Sequence, residues 1–177
     1  RSTQGYSSAS SDVYKRQIMR RAIGFDYSLN GSIGLELENM VVGVIGTGAI
    51  GQKVIKNLSG FGCQILAYDP FEKEEVRKYA DYVAMEEIIT KSDIITFHVP
   101  ALEDTYHLVC RETIEKMKDG VIIINTARGS IIDTSDLISA LESGKIAACA
   151  LDVIENELGL YYNDYKYKVI GNHELSI

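Results

Sequence analysis

From Val41 onward, apolar positions come in two alternating spacings. Val41-Val42-Gly43-Val44-Ile45 is a short, almost wholly apolar run, as expected of a parallel strand buried on both faces. Ile50, Val54, Ile55 and Leu58 then follow at helical spacing and stop near Gly60 and Gly62. The alternation continues with a strand over Gln64–Tyr68, a charged helix over Glu72–Tyr79 and a short strand at Tyr82-Val83. A short helix over Met85–Thr90 leads to a strand over Asp93–Val99, which Pro100 stops. Glu112–Met117 reads as a helix ended by Gly120, and Val121–Asn125 as another continuous β-branched strand. Thr134 is the expected cap of a helix whose stripe is Leu137, Ile138 and Leu141 and which closes at Gly144. Ile146–Val153 completes six strands.

Six strands separated by helices predict an α/β fold with a doubly wound parallel sheet over residues 41–153. The flanks read differently. Arg1–Gln17 is Ser-rich without apolar periodicity, a non-native or disordered arm by composition, and Ser8–Gln17 resembles translated sequencing-adapter read-through. Residues 18–40 read as a linker helix (Ile18–Tyr27) and loop. Residues 154–177 hold Tyr161, Tyr162, Tyr165 and Tyr167 among charged residues and read as a segment crossing to another domain.

Composition narrows the function classes. Among 177 residues, 46% are hydrophobic and 24% charged, ordinary values for a globular chain, and the net charge of −7 argues against a nucleic-acid partner. No apolar run approaches a membrane span and no signal peptide is visible, so a cytoplasmic protein without a membrane partner is expected. Cys63, Cys110 and Cys149 are scattered, which predicts buried, reduced thiols and no metal site.

The chemistry enters at Gly46-Thr47-Gly48-Ala49-Ile50-Gly51, a GxGxxG between a strand and a helix. In that setting Gly46 permits a tight turn, Gly48 lets a diphosphate approach the backbone, and Gly51 lets the helix pack closely. The helix N-terminus offers free N–H groups and a positive dipole end. Asp69 ends the next strand, 18 residues after Gly51, where an acid would bind the adenosine ribose. A carboxylate there disfavours the extra phosphate of NADP, and no Arg immediately follows it, so NAD(H) is the expected cofactor of a Rossmann domain.

Further motifs close the other strands: His98-Val99-Pro100, Asn125-Thr126-Ala127-Arg128-Gly129, Ala150-Leu151-Asp152-Val153 and Glu155-Asn156-Glu157. With the glycine motif, and in this order, they resemble the D-isomer-specific 2-hydroxyacid dehydrogenases over about residues 18–177. The stretch Asn156–Asp164 looks most like the D-lactate dehydrogenase branch. The resemblance implies an enzyme that transfers hydride between NADH and a short, pyruvate-like 2-oxoacid, giving the D-2-hydroxyacid. It implies that Ala49 and Ile50 touch the pyrophosphate, that Val99, Pro100 and Thr105 line the adenine and ribose side, and that Thr126, Ala127 and Asp152 face the nicotinamide.

By the same resemblance, Arg128 forks onto the substrate carboxylate and polarises the neighbouring carbonyl. Glu157, 29 residues on, is the acidic partner of a catalytic histidine, which it keeps protonated. The histidines present fit that acid poorly: His98 reads as a packing or hydrogen-bonding residue, His107 as structural, and His173 lacks the Thr-Pro-His-like context. The chain therefore reads as a fragment that stops before the catalytic histidine and lacks most of the substrate domain, with little turnover expected of it alone. The full-length protein is expected to be a homodimer. The alternative is an NAD(H)-sensing interaction protein of the corepressor type on the same fold.

Overall fold

The computed structural model describes residues 36–155. The N-terminal arm, the helix expected over Ile18–Tyr27, Glu157, the tyrosine cluster and His173 lie outside the described residues. Six strands form one sheet: β1 (Val41–Ile45), β2 (Gln64–Tyr68), β3 (Asp81–Tyr82), β4 (Ile94–Phe97), β5 (Val121–Asn125) and β6 (Ile146–Leu151). Their order is β3-β2-β1-β4-β5-β6 and every pairing is parallel. Four α-helices connect them: α1 (Ala49–Leu58), α2 (Met85–Lys91), α3 (Arg111–Lys116) and α4 (Thr134–Ser143).

Two apolar cores sandwich the sheet. Ile88 and Ile89 of α2, Ile114 of α3, and Leu137 and Ala140 of α4 pack with Ile45, Ile95, Phe97 and Ile123 on one side. Ile55 of α1 and Val76 pack with Val42, Val44, Ile65 and Ala67 on the other. Helices thus cover both faces, as a doubly wound sheet requires. The central strands β1 and β4 are buried almost throughout, whereas β5 alternates and the edge strand β6 is largely exposed beyond Ile146. Among the described residues no helix is long and apolar enough to cross a membrane.

Several elements depart from the expected pattern. Instead of a helix over Glu72–Tyr79 there is one 3-10 turn, Val76–Lys78. Within it only Val76 is buried, so it has no apolar stripe with which to anchor a helix. The Phe71 and Lys73 amides donate to Asp69 Oδ1 and to the Tyr82 hydroxyl, which ties the start of the stretch to the residues at the ends of β2 and β3. On α1 the buried positions are Gly51 and Ile55, while Ile50 is 66% exposed and stands outside the stripe. Asp133, not Thr134, caps α4: its Oδ1 accepts from the amides of Ser135 and Asp136, while the Thr134 hydroxyl donates to Glu155. Of the thiols, only Cys63 is buried; Cys110 and Cys149 are partly exposed, and all three are free.

Candidate functional site

Because all strands run the same way, their carboxyl ends share one edge, and strand order reverses between β1 and β4. The chain leaves β1 through Gly46, whose φ of +94° is the left-handed region that glycine tolerates. A side chain there would also strike the His98 carbonyl just beyond β4. Gly51 faces the Gly46 carbonyl so closely that a Cβ would collide with it, which lets α1 start directly on the turn. Gly48 differs: its φ of −66° suits any residue, and no atom lies within 4 Å of where its Cβ would be. The Gln52 amide donates to the Gly48 carbonyl, so the amides of Ala49, Ile50 and Gly51 lie ahead of the helical ladder.

Asp69 follows β2 beside this turn. Its Oδ2 accepts the Thr47 amide at 2.7 Å and its Oδ1 accepts the Phe71 amide at 2.8 Å. Each carboxylate oxygen has two lone-pair sites, so both retain capacity for a ligand hydroxyl. The carboxylate opens on a cavity of about 340 Å³ lined by Gly46, Gly48, Val99, Pro100, Leu102 and Thr105, among others. Phe71 and Leu102 also line it, and they are 77% and 58% exposed. The Thr105 hydroxyl donates to the Pro100 carbonyl and accepts the Leu102 amide, which shapes this wall. His98 lines the same cavity with its Nε2 3.1 Å from Thr96 Oγ1, and burial holds its pKa below the ordinary imidazole value.

A second group forms where β5 and β6 end. Asn125 is fully buried; its side-chain amide donates to the Arg128 carbonyl and its Oδ1 accepts the Ala127 amide. Its backbone carbonyl accepts the Asp152 amide. Arg128 is exposed, its Nη1 donates to the Ala127 carbonyl at 2.7 Å, and no carboxylate among the described residues pairs with it. A Cβ on Gly129 would collide with the backbone of Ile154 and Glu155, so only glycine lets the β6 exit lie across the turn that carries Arg128. That exit is held by His107, whose ring contacts Glu155 Oε1 at 2.7 Å and Asp133 Oδ2 at 3.4 Å.

Residues 9–175 match the profile of the D-isomer specific 2-hydroxyacid dehydrogenase NAD binding domain. The chain belongs to this family. An aromatic 2-oxoacid reductase from Clostridium sporogenes is 47% identical over 152 residues, covering 85% of the chain and 46% of that protein. A D-specific alpha-keto acid dehydrogenase from Enterococcus faecalis is 50% identical over 143 residues, covering 81% and 43%. The crystal structure of a D-lactate dehydrogenase from Aquifex aeolicus complexed with NAD and lactic acid superposes with a TM-score of 0.80 at 34% identity, covering 91% and 49%. The chain thus spans about half the length of the dehydrogenases it matches.

The cofactor of this family's domain is NAD, and the residues present fit it. Open space at Gly48, helix amides ahead of their ladder and a carboxylate on the cavity wall suit a diphosphate and a ribose. Of the residues singled out from the sequence, Gly46, Gly48, Asp69, Val99, Pro100 and Thr105 share that cavity. Ala49, Ile50 and Gly51 open α1 beside it. Thr126, Ala127, Arg128 and Asp152 gather at the β5 and β6 ends of the same edge and are not part of the cavity wall. Glu157 lies outside the described residues. Sequence reading passed over the organising roles of Thr47, Tyr82 and Asn125, and had His107 as structural without its partners Glu155 and Asp133. Asn125 stood inside a recognised motif, but the partners of all four residues are invisible without the fold.

Proposed function

We propose that the edge cradles NADH, with the nicotinamide toward Arg128, in an enzyme that reduces a short 2-oxoacid to the D-2-hydroxyacid. The observation that carries this reading is one cavity shared by the bare Gly46–Gly48 turn and Asp69. Ala49 and Ile50 amides receive the pyrophosphate, and Asp69 accepts from the ribose hydroxyls and disfavours a 2′-phosphate. Val99, Pro100 and Thr105, with exposed Phe71 and Leu102, supply apolar walls for the adenosine half. Thr126, Ala127 and Asp152 take the nicotinamide side. Bound there, the cofactor supplies the hydride.

Arg128 forks onto the substrate carboxylate and draws electron density from the adjacent carbonyl. Its exposure, and the lack of a carboxylate partner among the described residues, support a guanidinium held ready for an anion. Glu157 keeps an imidazole protonated for the carbonyl oxygen. Since the chain spans about half of its relatives, that imidazole and the pocket for the substrate side chain belong to the full-length protein. This chain alone binds cofactor with little turnover. The relatives' names include both aromatic 2-oxoacid reductase and D-lactate dehydrogenase, so the preference for a pyruvate-like substrate is part of the proposal. A cytoplasmic homodimer completes it; only monomers of full-length protein by light scattering at micromolar concentration would count against the dimer.

In the full-length enzyme, Arg128→Ala should cut kcat/KM for pyruvate by at least ~10²-fold, about the loss of one oriented charge-stabilising donor, while sparing NADH affinity. Near-normal pyruvate reduction would overturn the role of Arg128. Faster reduction of phenylpyruvate than of pyruvate by the parent would overturn the short-substrate reading alone.

A further inference from the structure

We infer that Tyr82, which belongs to none of the motifs above, fixes the orientation of the Asp69 carboxylate and thereby tightens the preference for NADH over NADPH. The inference rests on the proposed role of Asp69. Four hydrogen bonds and a short stretch of chain form a closed ring. The Thr47 amide donates to Asp69 Oδ2 at 2.7 Å, and the Thr47 hydroxyl meets the Tyr82 hydroxyl at 2.7 Å. The Tyr82 hydroxyl accepts the Lys73 amide at 2.9 Å, and the Phe71 amide donates to Asp69 Oδ1 at 2.8 Å. The backbone from Phe71 to Lys73 closes the circuit. One phenol therefore ties down both segments whose amides grip the carboxylate.

The chemistry of the ring leaves little slack. A phenol offers one donor and accepts on the same oxygen, so it can take the Lys73 amide and still bond the Thr47 hydroxyl. Thr47 is fully buried, and without Tyr82 its hydroxyl has no partner and no access to water, a costly state. Tyr82 itself is held by the sheet. It pairs with Ala67, two residues before Asp69; the next amide, Val83, donates to the Ala67 carbonyl; and the Arg77 guanidinium lies 5.3 Å over the ring centroid. The phenol is thus a rigid post standing beside the ribose acid.

A fixed carboxylate matters more for discrimination than for folding. Its hydrogen bonds to a ribose need a set direction, and its repulsion of a 2′-phosphate scales inversely with distance. A carboxylate free to turn away would bind NADH less well and reject NADPH less firmly. A ring that served only to stabilise the turn would lower the melting temperature and weaken both nucleotides alike.

The test is calorimetric titration of the 177-residue chain and its Tyr82→Phe variant with NADH and with NADPH. Phe keeps the ring, its packing and the Arg77 stack. The NADH dissociation constant should rise about three- to tenfold, as for one neutral hydrogen bond, and the NADH-over-NADPH ratio should shrink by a similar factor. Thr47→Val, which removes the other hydroxyl, should do the same, and the double variant should be no worse than either single one. That pair keeps the question answerable if one variant folds poorly. If the unaltered chain prefers NADH but Tyr82→Phe and Thr47→Val both retain its ratio, the Tyr82 inference is wrong while the cofactor site stands. If the unaltered chain shows no preference, the role of Asp69 fails and this inference fails with it.

Discussion

Gly48 and Gly51 belong to one motif, yet they should respond differently to the same methyl group. At Gly48 the backbone is extended and no protein atom lies within 4 Å of a built Cβ. Gly48→Ala should therefore be tolerated by the fold, with stability changed by no more than ~1 kcal/mol, because the gain from a less flexible unfolded chain is offset by alanine's poorer capping of α1. At ~2–4 °C per kcal/mol for a chain of this size, the melting temperature should stay within ~4 °C of the parent's. The empty space is also where a diphosphate must come close to the amides of Ala49 and Ile50. Losing one charge-assisted hydrogen bond costs ~1.5–3 kcal/mol, so NADH should bind ~10- to 100-fold more weakly. Gly51→Ala instead drives a methyl into the Gly46 carbonyl, a backbone atom that cannot swing aside. Overpacking of this kind costs ~1–3 kcal/mol or more, so the melting temperature should fall by several degrees. Differential scanning fluorimetry without nucleotide and calorimetric titration with NADH measure both responses. A Gly48→Ala chain that binds NADH within twofold of its parent would refute the reasoning, as would a Gly51→Ala chain of undiminished stability.

Two further outcomes are expected. Asn125→Ala empties a fully buried side-chain site and removes the partner of the Ala127 amide, while the Arg128 carbonyl keeps the Ile131 amide, so it should cost ~2–3 kcal/mol in urea unfolding; a loss below ~1 kcal/mol would show that the turn does not depend on it. Burial lowers the pKa of His98, so in the window from its folded value up to the ordinary ~6.5 the unfolded chain binds more protons. Stability should therefore rise with pH across that window and be lost as pH falls through it. His98→Gln should flatten this part of a urea-unfolding series between pH 5 and 7.5, and an unchanged slope would contradict the assignment.

How much was legible in the sequence depended on how local the cause was. Strands β1, β2 and β5 could be bounded from their apolar runs, because burial on both faces leaves an unbroken signal. The glycine motif carried its meaning within six residues and its neighbouring strand and helix. The helix expected over Glu72–Tyr79 failed because Val76 is its one buried residue, so a charged run with helix-like composition has no apolar stripe to pack against the sheet. Cooperation over distance was invisible throughout: Thr47 meets Asp69 across 22 residues and Tyr82 across 35, and His107 meets Glu155 across 48. Asp133 and Thr134 are both good caps by type, and only the backbone path, extended at Asp133 with its carboxylate turned onto the next amides, decides between them.

The central claim is that the carboxyl edge of this sheet receives NADH through the Gly46–Gly51 turn and Asp69. The most direct measurement is a set of amide ¹H–¹⁵N spectra of the labelled chain as NADH is added. The account predicts saturable shifts at Ala49, Ile50, Asp69, Val99 and Thr126, with NADPH producing them only at clearly higher concentration. Shifts confined to residues away from this edge, or the same shifts with equal affinity for NADPH, would contradict it.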